Sequence, residues 1–513
     1  MTTQTIRWVK MEKKISKVLI ANRGEIAIRV MRTCRELGIK TVAVYSDADK
    51  GVLHTLFADE AVHIGPAPSK ESYLVIDKII AAAKQTGADA IHPGYGFLSE
   101  NAAFSLRCAS EGILFIGPTA ESINMMGDKT KARELMIKHN VPVPPGLQTA
   151  LHDIEEARQI AHEIGYPVLV KAAAGGGGKG MRIIEKPEDF DSGIRAAKSE
   201  ALNAFNDDRV YVEKYLEEPH HIEFQIMADK HGNVIHIYDR ECSIQRRHQK
   251  VVEEAPSPYV HEELRQEMAK TAVLAAQACN YHGAGTIEFL VDKHKKFYFL
   301  EMNTRLQVEH PVSESITGLD LVALQILVAE GKPLPLKQED VKRQGHSIEC
   351  RISAEDSFEN FMPSTGTLRR YRLPSGPGVR VDSGVTEGQN VSINYDPLLA
   401  KLIVYAETRE AAIQRMIRAL EEYQISGLQT TVPFCSYVMK HPVFQSGVYD
   451  THFVKDHFNV SEMRKDNLPD SISMALATLV KAFANGKQDI AQELEPIGSE
   501  NSHTTTWWAK RRN

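Results

Sequence analysis

Short apolar runs alternate with segments of helical period over the first 125 residues of the chain. The runs at 17–21 and 41–45 are apolar enough to form buried strands, and a turn at Gly24 and a helix lie between them. Two further runs, at 88–91 and 113–116, continue the alternation. The pattern predicts an α/β domain that ends near residue 125.

A second pattern follows the apolar run at 297–300, where polar residues occupy every second position from 301 to 309. Side chains at alternate positions of a strand share one face. We therefore predict a strand with one polar row, which consists of Glu301, Asn303, Arg305, Gln307 and Glu309. The segment 285–292 predicts the partner strand, joined to the first by the polar turn 292–296.

Pairing of these two strands would bring Glu288 close to Glu301 and Asn303. Two carboxylates and an amide, with coordination positions left for water and phosphate, suit octahedral Mg²⁺. A solvated outer face with ordinary charge pairing is the alternative interpretation. The apolar run 297–300 argues against it, because such a run is typical of a strand buried on both faces.

A run of glycines from Gly175 to Gly180 lies between predicted strands at 167–171 and 181–184. The run is not a Walker A loop, because Lys179 is followed by glycine instead of serine or threonine. It matches a dinucleotide fingerprint only formally, since that fingerprint requires a helix after it. A glycine hairpin predicts a flap whose backbone N–H groups close over phosphates, and a turn without a ligand is the alternative.

Capping residues and prolines divide the rest of the chain. A helix capped by Asp128 is followed by the proline-rich segment 141–146, which breaks the chain as a linker does. We predict a compact αβ segment from 147 to about 215, then polar strands with a supporting helix to about 330. A β-rich block from about 345 to 455 follows, and the remainder is polar.

Composition limits the class of protein. At 513 residues the chain is too long for a single core and predicts about three domains. A hydrophobic content of 42% is typical of a soluble globular protein, and a net charge of −6 gives no support for nucleic-acid binding. Six scattered cysteines predict neither disulfides nor a zinc site. We expect a cytoplasmic protein without a membrane segment, in which residues 1–10 precede a candidate start at Met11.

Several polar motifs are weak signals on their own. Lys129 fits an ordinary exposed helix lysine, and the segment 211–217 predicts a strand whose free backbone groups recognise an adenine edge. The run 245–250 is typical of a solvated loop, and it would bind oxyanions only beside other anion-binding groups. His220 and His221 lack the spacing of metal ligands and predict core or nucleotide-contact positions without zinc.

Taken together, these motifs resemble the biotin carboxylase family of ATP-grasp ligases, from about Lys17 to about residue 455. The resemblance rests on six motifs in the family's order, namely 20–27, 92–101, the glycine run, 245–250, 301–310 and 349–351. The implied fold combines α/β and α+β domains. They are a Rossmann-like pre-ATP-grasp domain at 14–125, an ATP-grasp domain at 129–330 with a glycine-rich lid at about 143–215, a β-rich C-terminal biotin carboxylase domain at 345–455, and an extension at 461–513.

The resemblance implies that ATP and bicarbonate form carboxyphosphate with the aid of Mg²⁺ or Mn²⁺, and that the carboxyl group then passes to biotin. The implied ATP contacts are Lys129, Lys171, Gly177, Gly178, Glu213, Lys214, Tyr215, Leu216, His221, His248, Glu288 and Glu301, and the implied metal ligands are Glu288, Glu301 and Asn303. The implied bicarbonate contacts are Lys250, Arg305, Gln307, Val308 and Glu309. Glu309 is the implied general base, Arg351 stabilises charge on biotin, and Tyr95 positions the biotin ring. Arg305 and Lys250 complete the implied catalytic set.

The chain contains no Ala-Met-Lys-Met biotinylation site, so biotin is expected on a separate carrier protein. The resemblance further implies carboxyltransferase partners, a homodimer, and a final acceptor such as acetyl-CoA, another acyl-CoA or pyruvate, with fatty acid biosynthesis as one setting. The extension at 461–513 is interpreted either as a docking tail or as a remnant. Another ATP-grasp ligase would share the flap and the metal row but would not require the Arg351 segment or the run 245–250. A non-catalytic nucleotide sensor usually lacks the metal ligands or the base.

Overall fold

The computed structural model describes residues 15–146, 154–172 and 181–466, together with residues 476, 478 and 479. The chain divides into two compact units, residues 1–458 and residues 459–513. Every element that positions the site belongs to the first unit.

A parallel five-stranded sheet forms the first part of the chain, in the spatial order β3-β2-β1-β4-β5. Its strands are β1 Lys17–Ile20, β2 Lys40–Ser46, β3 Glu60–Gly65, β4 Ala90–His92 and β5 Leu114–Phe115. Its helices are α1 Gly24–Glu36, α2 Leu53–Phe57, α3 Ile76–Thr86, α4 Ala102–Ser110 and α5 Ala120–Gly127. The predicted α/β domain is confirmed. The sequence pattern missed β3, because this strand is largely exposed and lacks an apolar run.

A small antiparallel sheet follows, in the order β7-β6-β8. Its elements are α6 Lys129–Lys138, α7 Ile154–Ile164, β6 Val168–Ala172, β7 Met181–Ile184, α8 Phe190–Phe205 and β8 Val210–Lys214. Asp128 caps α6 as predicted, since its carboxylate accepts hydrogen bonds from the backbone N–H groups of Thr130 and Lys131. β6 and β7 pair as a hairpin, and the predicted flap with Gly177 and Gly178 lies outside the described residues.

The largest sheet has eight strands in the order β13-β12-β9-β10-β11-β14-β21-β19. Its first five strands and their helices are β9 His220–Ala228, β10 Val234–Arg246, β11 Gln249–Ala255, α9 Glu262–Ala278, β12 Gly283–Val291, β13 Phe297–Asn303, α10 His310–Thr317 and α11 Leu321–Ala329. All its neighbouring strands are antiparallel. α9 packs its apolar face, including Met268 and Ala272, against β9 and β12.

The β-rich block predicted from about 345 adds three strands to this same sheet. Its strands are β14 His346–Ser353, β15 Glu355–Asp356, β16 Met362–Pro363, β17 Gly366–Thr367, β18 Arg370–Arg372, β19 Val379–Ser383, β20 Asn390–Val391, β21 Leu398–Ala406 and β22 Gln424–Ser426. Its helices are α12 Arg409–Glu422, α13 Val432–Lys440, α14 Pro442–Ser446 and α15 Phe453–His457. Pairing of β11 with β14 makes the sheet continuous.

The strand that carries the predicted polar row is shorter than expected. β13 ends at Asn303, residues 304–309 are irregular, and α10 begins at His310 with Pro311 in its first turn. The prediction of one strand face is therefore wrong for Arg305, Gln307 and Glu309. The alternation does not reflect two strand faces, because Leu306, Gln307 and Glu309 are all buried. A proline in the first helical turn fixes the backbone there and favours helix instead of further strand.

Among the described residues, no single helix is long and apolar enough to cross a membrane; α10 and α11 pass that test only as a pair, and they are bent by 99°. The second unit contains one short described helix, α16 Val460–Asp466, whose preceding residue Asn459 accepts a hydrogen bond from the Ser461 backbone N–H.

Candidate active site

A row of charged side chains crosses the large sheet. Glu223 on β9 lies opposite both Arg240 on β10 and Glu288 on β12, and Glu288 lies opposite Glu301 on β13. Residues directly opposite each other point to the same face of a sheet. Arg240, Glu223 and Glu288 are buried. The structure thus brings Glu288 and Glu301 together across the hairpin, as the sequence pattern predicts.

Lys250 lies at the centre of this site, near the start of β11. Its ammonium group donates hydrogen bonds to Glu223 at 2.5 Å, to Glu288 at 2.9 Å and to Glu309 at 2.6 Å. An ammonium group has three N–H donors, so all of them are used. Burial lowers the pKa of Lys250, but the three carboxylates outweigh burial and raise it well above its ordinary value. The ammonium group therefore stays charged at neutral pH.

Glu309 lies between two cations at the N-terminus of α10. Its Oε1 accepts the hydrogen bond from Lys250, and its Oε2 accepts a hydrogen bond of 3.0 Å from Nη2 of Arg351. Burial raises the pKa of Glu309, but Lys250 and Arg351 more than offset this effect, and the pKa lies below its ordinary value. The structure thus places a buried, ionised carboxylate between an ammonium and a guanidinium group.

Glu223 and Arg240 hold the row together, although neither is among the site residues predicted from the sequence. Arg240 is fully buried and donates hydrogen bonds to Glu223 at 2.6 Å, to Gln225 at 2.8 Å and to Gln307 at 2.8 Å. Five donors in a fixed fork let one guanidinium group satisfy several acceptors at once. The alternation of His221, Glu223 and Gln225 with apolar residues along β9 is the signal that would have found this face.

Arg305 connects the site to the first sheet domain. Its Nε donates to Glu100 at 2.8 Å, and its Nη2 donates to Asn303 at 2.9 Å. Glu100 also accepts a hydrogen bond of 3.1 Å from the backbone N–H of Thr304. The Arg305 side chain is 21% exposed, and its Nη1 donates a hydrogen bond of 3.3 Å to the Leu306 carbonyl. Glu100 is not among the site residues predicted from the sequence, although it lies in the segment 92–101.

The side-chain oxygens of Glu288, Glu301 and Asn303 are ligands that suit a hard cation. Glu288 Oε1 accepts hydrogen bonds from Asn303 Nδ2 at 2.9 Å and from Gln307 Nε2 at 3.0 Å, which fixes the carboxylate beside Glu301. Glu301 lies 3.4 Å from the ammonium group of Lys129. Carboxylate and amide oxygens are the ligands that Mg²⁺ prefers. These three residues therefore fit the predicted metal site.

His221 does not extend this set of ligands. Its Nε2 lies 3.1 Å from Glu288 and 3.7 Å from Glu223. Burial lowers the pKa of His221, but Glu288 and Glu223 outweigh burial and raise it to about 9. A protonated imidazole has no free lone pair for a metal, so His221 acts here as a cation.

The residues that line a cavity beside the row include members of α6, the small sheet and β13. Lys129, Lys171, Glu213 and Glu301 line it, together with Tyr211. The ammonium group of Lys171 forms a buried ion pair with Glu213. Two predicted cationic contacts thus reach the same cavity as the predicted metal ligand Glu301.

Four further predicted nucleotide contacts are not among the residues that line this cavity, namely Lys214, Tyr215, Leu216 and His248. Lys214 Nζ donates to the backbone carbonyls of Gly165 and Tyr166 at 3.0 and 3.2 Å. Tyr215 makes a hydrogen bond of 3.3 Å to His452, and Leu216 is buried. His248 is exposed at the turn between β10 and β11. Partial desolvation of its ring lowers the pKa of His248, and the nearby charges of Lys171 and His221 lower it further.

Of the two predicted biotin contacts, Arg351 binds the Glu309 oxygen that does not contact Lys250. Arg351 Nε donates to Glu253 at 2.6 Å while Nη2 contacts Glu309. Lys401 is fully buried, donates a hydrogen bond of 2.8 Å to the Val308 carbonyl, and has its Nζ 5.9 Å from the centre of the Tyr95 ring. The Tyr95 hydroxyl is buried and has no hydrogen-bond partner among the described residues.

Known proteins share both the sequence and the fold of this chain. Three family models match it, "Biotin carboxylase, N-terminal domain" at 14–123, "Carbamoyl-phosphate synthase L chain, ATP binding domain" at 128–337 and "Biotin carboxylase C-terminal domain" at 349–456. Biotin carboxylase 1 of Bacillus subtilis is 52% identical over 444 residues, which cover 86% of this chain and 99% of that protein. The chain belongs to the biotin carboxylase family.

Solved structures of biotin carboxylases have the same fold. One is the biotin carboxylase–β-γ-ATP complex from Campylobacter jejuni. It is 51% identical to this chain with a TM-score of 0.84, and the match covers 86% of this chain and 99% of that one. The biotin carboxylase domain dimer of the 2-oxoglutarate carboxylase of Hydrogenobacter thermophilus is 48% identical with a TM-score of 0.83, over 88% and 99%. That structure contains MgADP, ADP and bicarbonate.

The predicted family and fold class of this chain are thus confirmed. The family membership makes it an ATP-dependent carboxylase, which argues against a non-catalytic nucleotide sensor. The roles of individual residues stay predictions, and the geometry above is what supports them.

Proposed function

We propose that this chain is a C–N ligase that uses ATP and bicarbonate to carboxylate biotin through carboxyphosphate. This reaction is the first half-reaction of a biotin-dependent carboxylase. The observation that carries the proposal is Glu309, an ionised carboxylate held between Lys250 and Arg351. This arrangement provides a base, an anion-binding ammonium group and a charge-stabilising guanidinium group within one buried site.

Bicarbonate binding takes place at Lys250 and Arg305. All three donors of Lys250 are engaged with carboxylates, so an incoming anion takes over one of them. Loss of the Lys250 contact raises the pKa of Glu309, because that contact holds the pKa down. Glu309 is then a stronger base for the bicarbonate proton, and Gln307 and Val308 complete the anion pocket.

The nucleotide lies in the cavity beside the row. Lys129 and Lys171 contact its phosphates, and Glu288, Glu301 and Asn303 hold Mg²⁺ or Mn²⁺, which neutralises phosphate charge when bound. The remaining proposed contacts to ATP are Gly177, Gly178, Glu213, Lys214, Tyr215, Leu216, His221 and His248. Arg305 orients the transferring group, since it is rigidly held by Glu100 and Asn303.

Arg351 stabilises the negative charge that develops on biotin as its ureido nitrogen loses a proton. Tyr95 positions the ring of biotin. Biotin arrives attached to a biotin carboxyl carrier protein, and carboxyltransferase subunits then pass the carboxyl group to an acyl-CoA or to pyruvate.

The same proposal covers the organisation of the molecule. The domains are residues 14–125, 129–330 and 345–455, followed by the extension at 461–513. The functional unit is a homodimer, a proposal that the biotin carboxylase domain dimer of Hydrogenobacter thermophilus supports. The tail at 461–513 lies almost wholly outside the described residues. All six cysteines are free and buried, which supports a reducing compartment such as the cytoplasm.

ADP release by the purified chain with Mg²⁺-ATP tests the proposal. We expect ADP release to depend on bicarbonate and to increase when free biotin is added. Glu309→Gln should remove both effects, whereas Glu121→Gln at an exposed position should retain them. ATP cleavage that ignores bicarbonate and biotin would favour another ATP-grasp ligase, and ATP binding without cleavage would favour a sensor.

A further inference from the structure

Two buried carboxylates face each other beside Arg351. Glu253 on β11 lies directly opposite Glu349 on β14, and neither is accessible to solvent. Arg351 follows Glu349 by two residues and lies opposite Lys401 on β21, so all four side chains point to one face of the sheet. Like charges directly opposite each other destabilise a sheet unless one of them is neutralised.

The hydrogen bonds distinguish the two carboxylates. Glu253 Oε1 accepts a hydrogen bond from Arg351, while its Oε2 has no partner among the described residues. Neither oxygen of Glu349 accepts a hydrogen bond from any described residue. Lys401, the nearest candidate cation on β21, instead contacts the Val308 carbonyl. Glu349 is therefore the less compensated member of the pair.

An ionised carboxylate without a partner is costly to bury, so such a group takes up a proton. The charged groups that face Glu349 are Glu253 from β11, Arg351 from its own strand, Lys401 from β21 and Glu309 from the segment before α10. Burial raises the pKa of Glu349 well above its ordinary value, and Glu253 and Glu309 add to this against Lys401 and Arg351. Burial also raises the pKa of Glu253, to about 7, against the guanidinium of Arg351.

We propose that Glu349 is a positioning residue for the reaction: as a neutral carboxylic acid opposite Glu253, it leaves the guanidinium of Arg351 bound to Glu253 and Glu309. This inference rests on the proposed function, because it concerns the group that meets biotin. An ionised Glu349 would be a third carboxylate in competition for Arg351. The guanidinium group would then shift away from Glu309 and from the charge that develops on biotin.

The test compares wild type, Glu349→Gln and Glu349→Asp. Glutamine has the shape and neutral charge of the protonated acid, whereas aspartate keeps the acid and shortens its reach. We expect kcat/KM for biotin in wild type to fall by about tenfold per pH unit once Glu349 ionises on the alkaline side. In Glu349→Gln this alkaline fall should be absent or displaced by at least about one pH unit, while the KM for ATP stays unchanged.

An infrared measurement separates the inference from the proposed function. The difference spectrum between wild type and Glu349→Gln at pH 8 should show the carbonyl stretch of a neutral carboxylic acid in wild type alone. This band is read without turnover, so it tests Glu349 even if the chain fails to carboxylate biotin, an outcome that the ADP assay reports by itself. Titration of the same band in wild type serves if the variants do not fold.

Three results would overturn the inference. The first is the absence of a neutral-acid band at pH 8. The second is an alkaline fall in kcat/KM for biotin that is identical in wild type and Glu349→Gln. The third is a loss of kcat/KM in Glu349→Gln that is equal at every pH. The last would show that Glu349 has only a structural role or acts as a charged group.

Discussion

Replacement of Lys250 by methionine removes the central cation of the site and keeps most of the side-chain volume. Each of the three carboxylates retains one other cation: Glu223 keeps Arg240, Glu309 keeps Arg351, and Glu288 keeps His221. Three charge-assisted hydrogen bonds at about 1.5–3 kcal/mol each give an upper bound for the loss in the free energy of unfolding. Because the carboxylates stay partly compensated, we expect the smaller loss that is typical of one broken buried ion pair, about 3–5 kcal/mol at neutral pH.

The pH dependence of this loss has a definite sign. In wild type the pKa values of Glu223, Glu288 and Glu309 are all lowered from 4.5, and Lys250 is among the causes in each case. Their contribution to stability is present above that ordinary pKa and disappears as the pH falls through the folded-state values. The deficit of Lys250→Met should therefore be full at pH 7.5 and should shrink as the pH falls towards and below about 4.5, because protonation then removes the uncompensated charge.

Urea denaturation at pH 7.5 and at pH 4 measures this difference, with ADP release recorded at pH 7.5. Lys270→Met, on the exposed side of α9, is the matched control and should match wild type at both pH values. We expect Lys250→Met to have a lower urea midpoint at pH 7.5, a smaller deficit at pH 4, and no bicarbonate-dependent ADP release. A variant with the stability of the control at pH 7.5 would refute the assignment of Lys250 as the compensating cation.

Three further predictions concern other residues. Arg305→Ala should leave ATP affinity nearly unchanged but remove most turnover, because its guanidinium contacts Glu100 and Asn303 instead of the cavity near Lys171; near-normal turnover would contradict this. Glu309→Gln should lower kcat by about 10²–10⁴-fold, the usual contribution of a general base, and rapid-quench kinetics would show the defect in ATP cleavage. Glu254→Gln should destabilise the fold by about 3 kcal/mol, since Glu254 accepts hydrogen bonds from Arg409 at 2.7 and 2.9 Å. Burial raises the pKa of Glu254, but its partners lower it to about 2, so the stability difference in denaturation experiments should disappear as the pH falls from about 4.5 to 2 and should not change above pH 6.

The sequence predicted the elements whose periodicity is local. The strand–helix–strand alternation at 17–45, the Asp128 cap and the hairpin that brings Glu288 to Glu301 are all formed by neighbouring residues. Apolar runs and capping residues act over a few positions, so one chain segment contains the whole signal.

The parts that the sequence did not predict depend on distant residues. The pairing of β11 with β14 joins segments almost 100 residues apart, and no local pattern specifies it. Arg240 on β10 donates hydrogen bonds to Glu223 on β9 and to Gln307 in the irregular segment 304–309, which are far apart in the sequence. β13 ends at Asn303 and α10 begins at His310, with Pro311 in its first turn, while the polar alternation continues past the end of the strand.

The continuity of the large sheet limits how this chain can be divided. A fragment that ends near residue 345 would leave β11 as an open edge, with its backbone N–H and C=O groups no longer paired to β14. Such an edge is a template for pairing with other chains, and the seven-residue β11 has no proline to block it. The same cut would expose Glu253, whose guanidinium partner lies on the other piece. The two fragments are thus expected to aggregate or to reassociate when expressed apart, and the catalytic centre is a property of the undivided sheet.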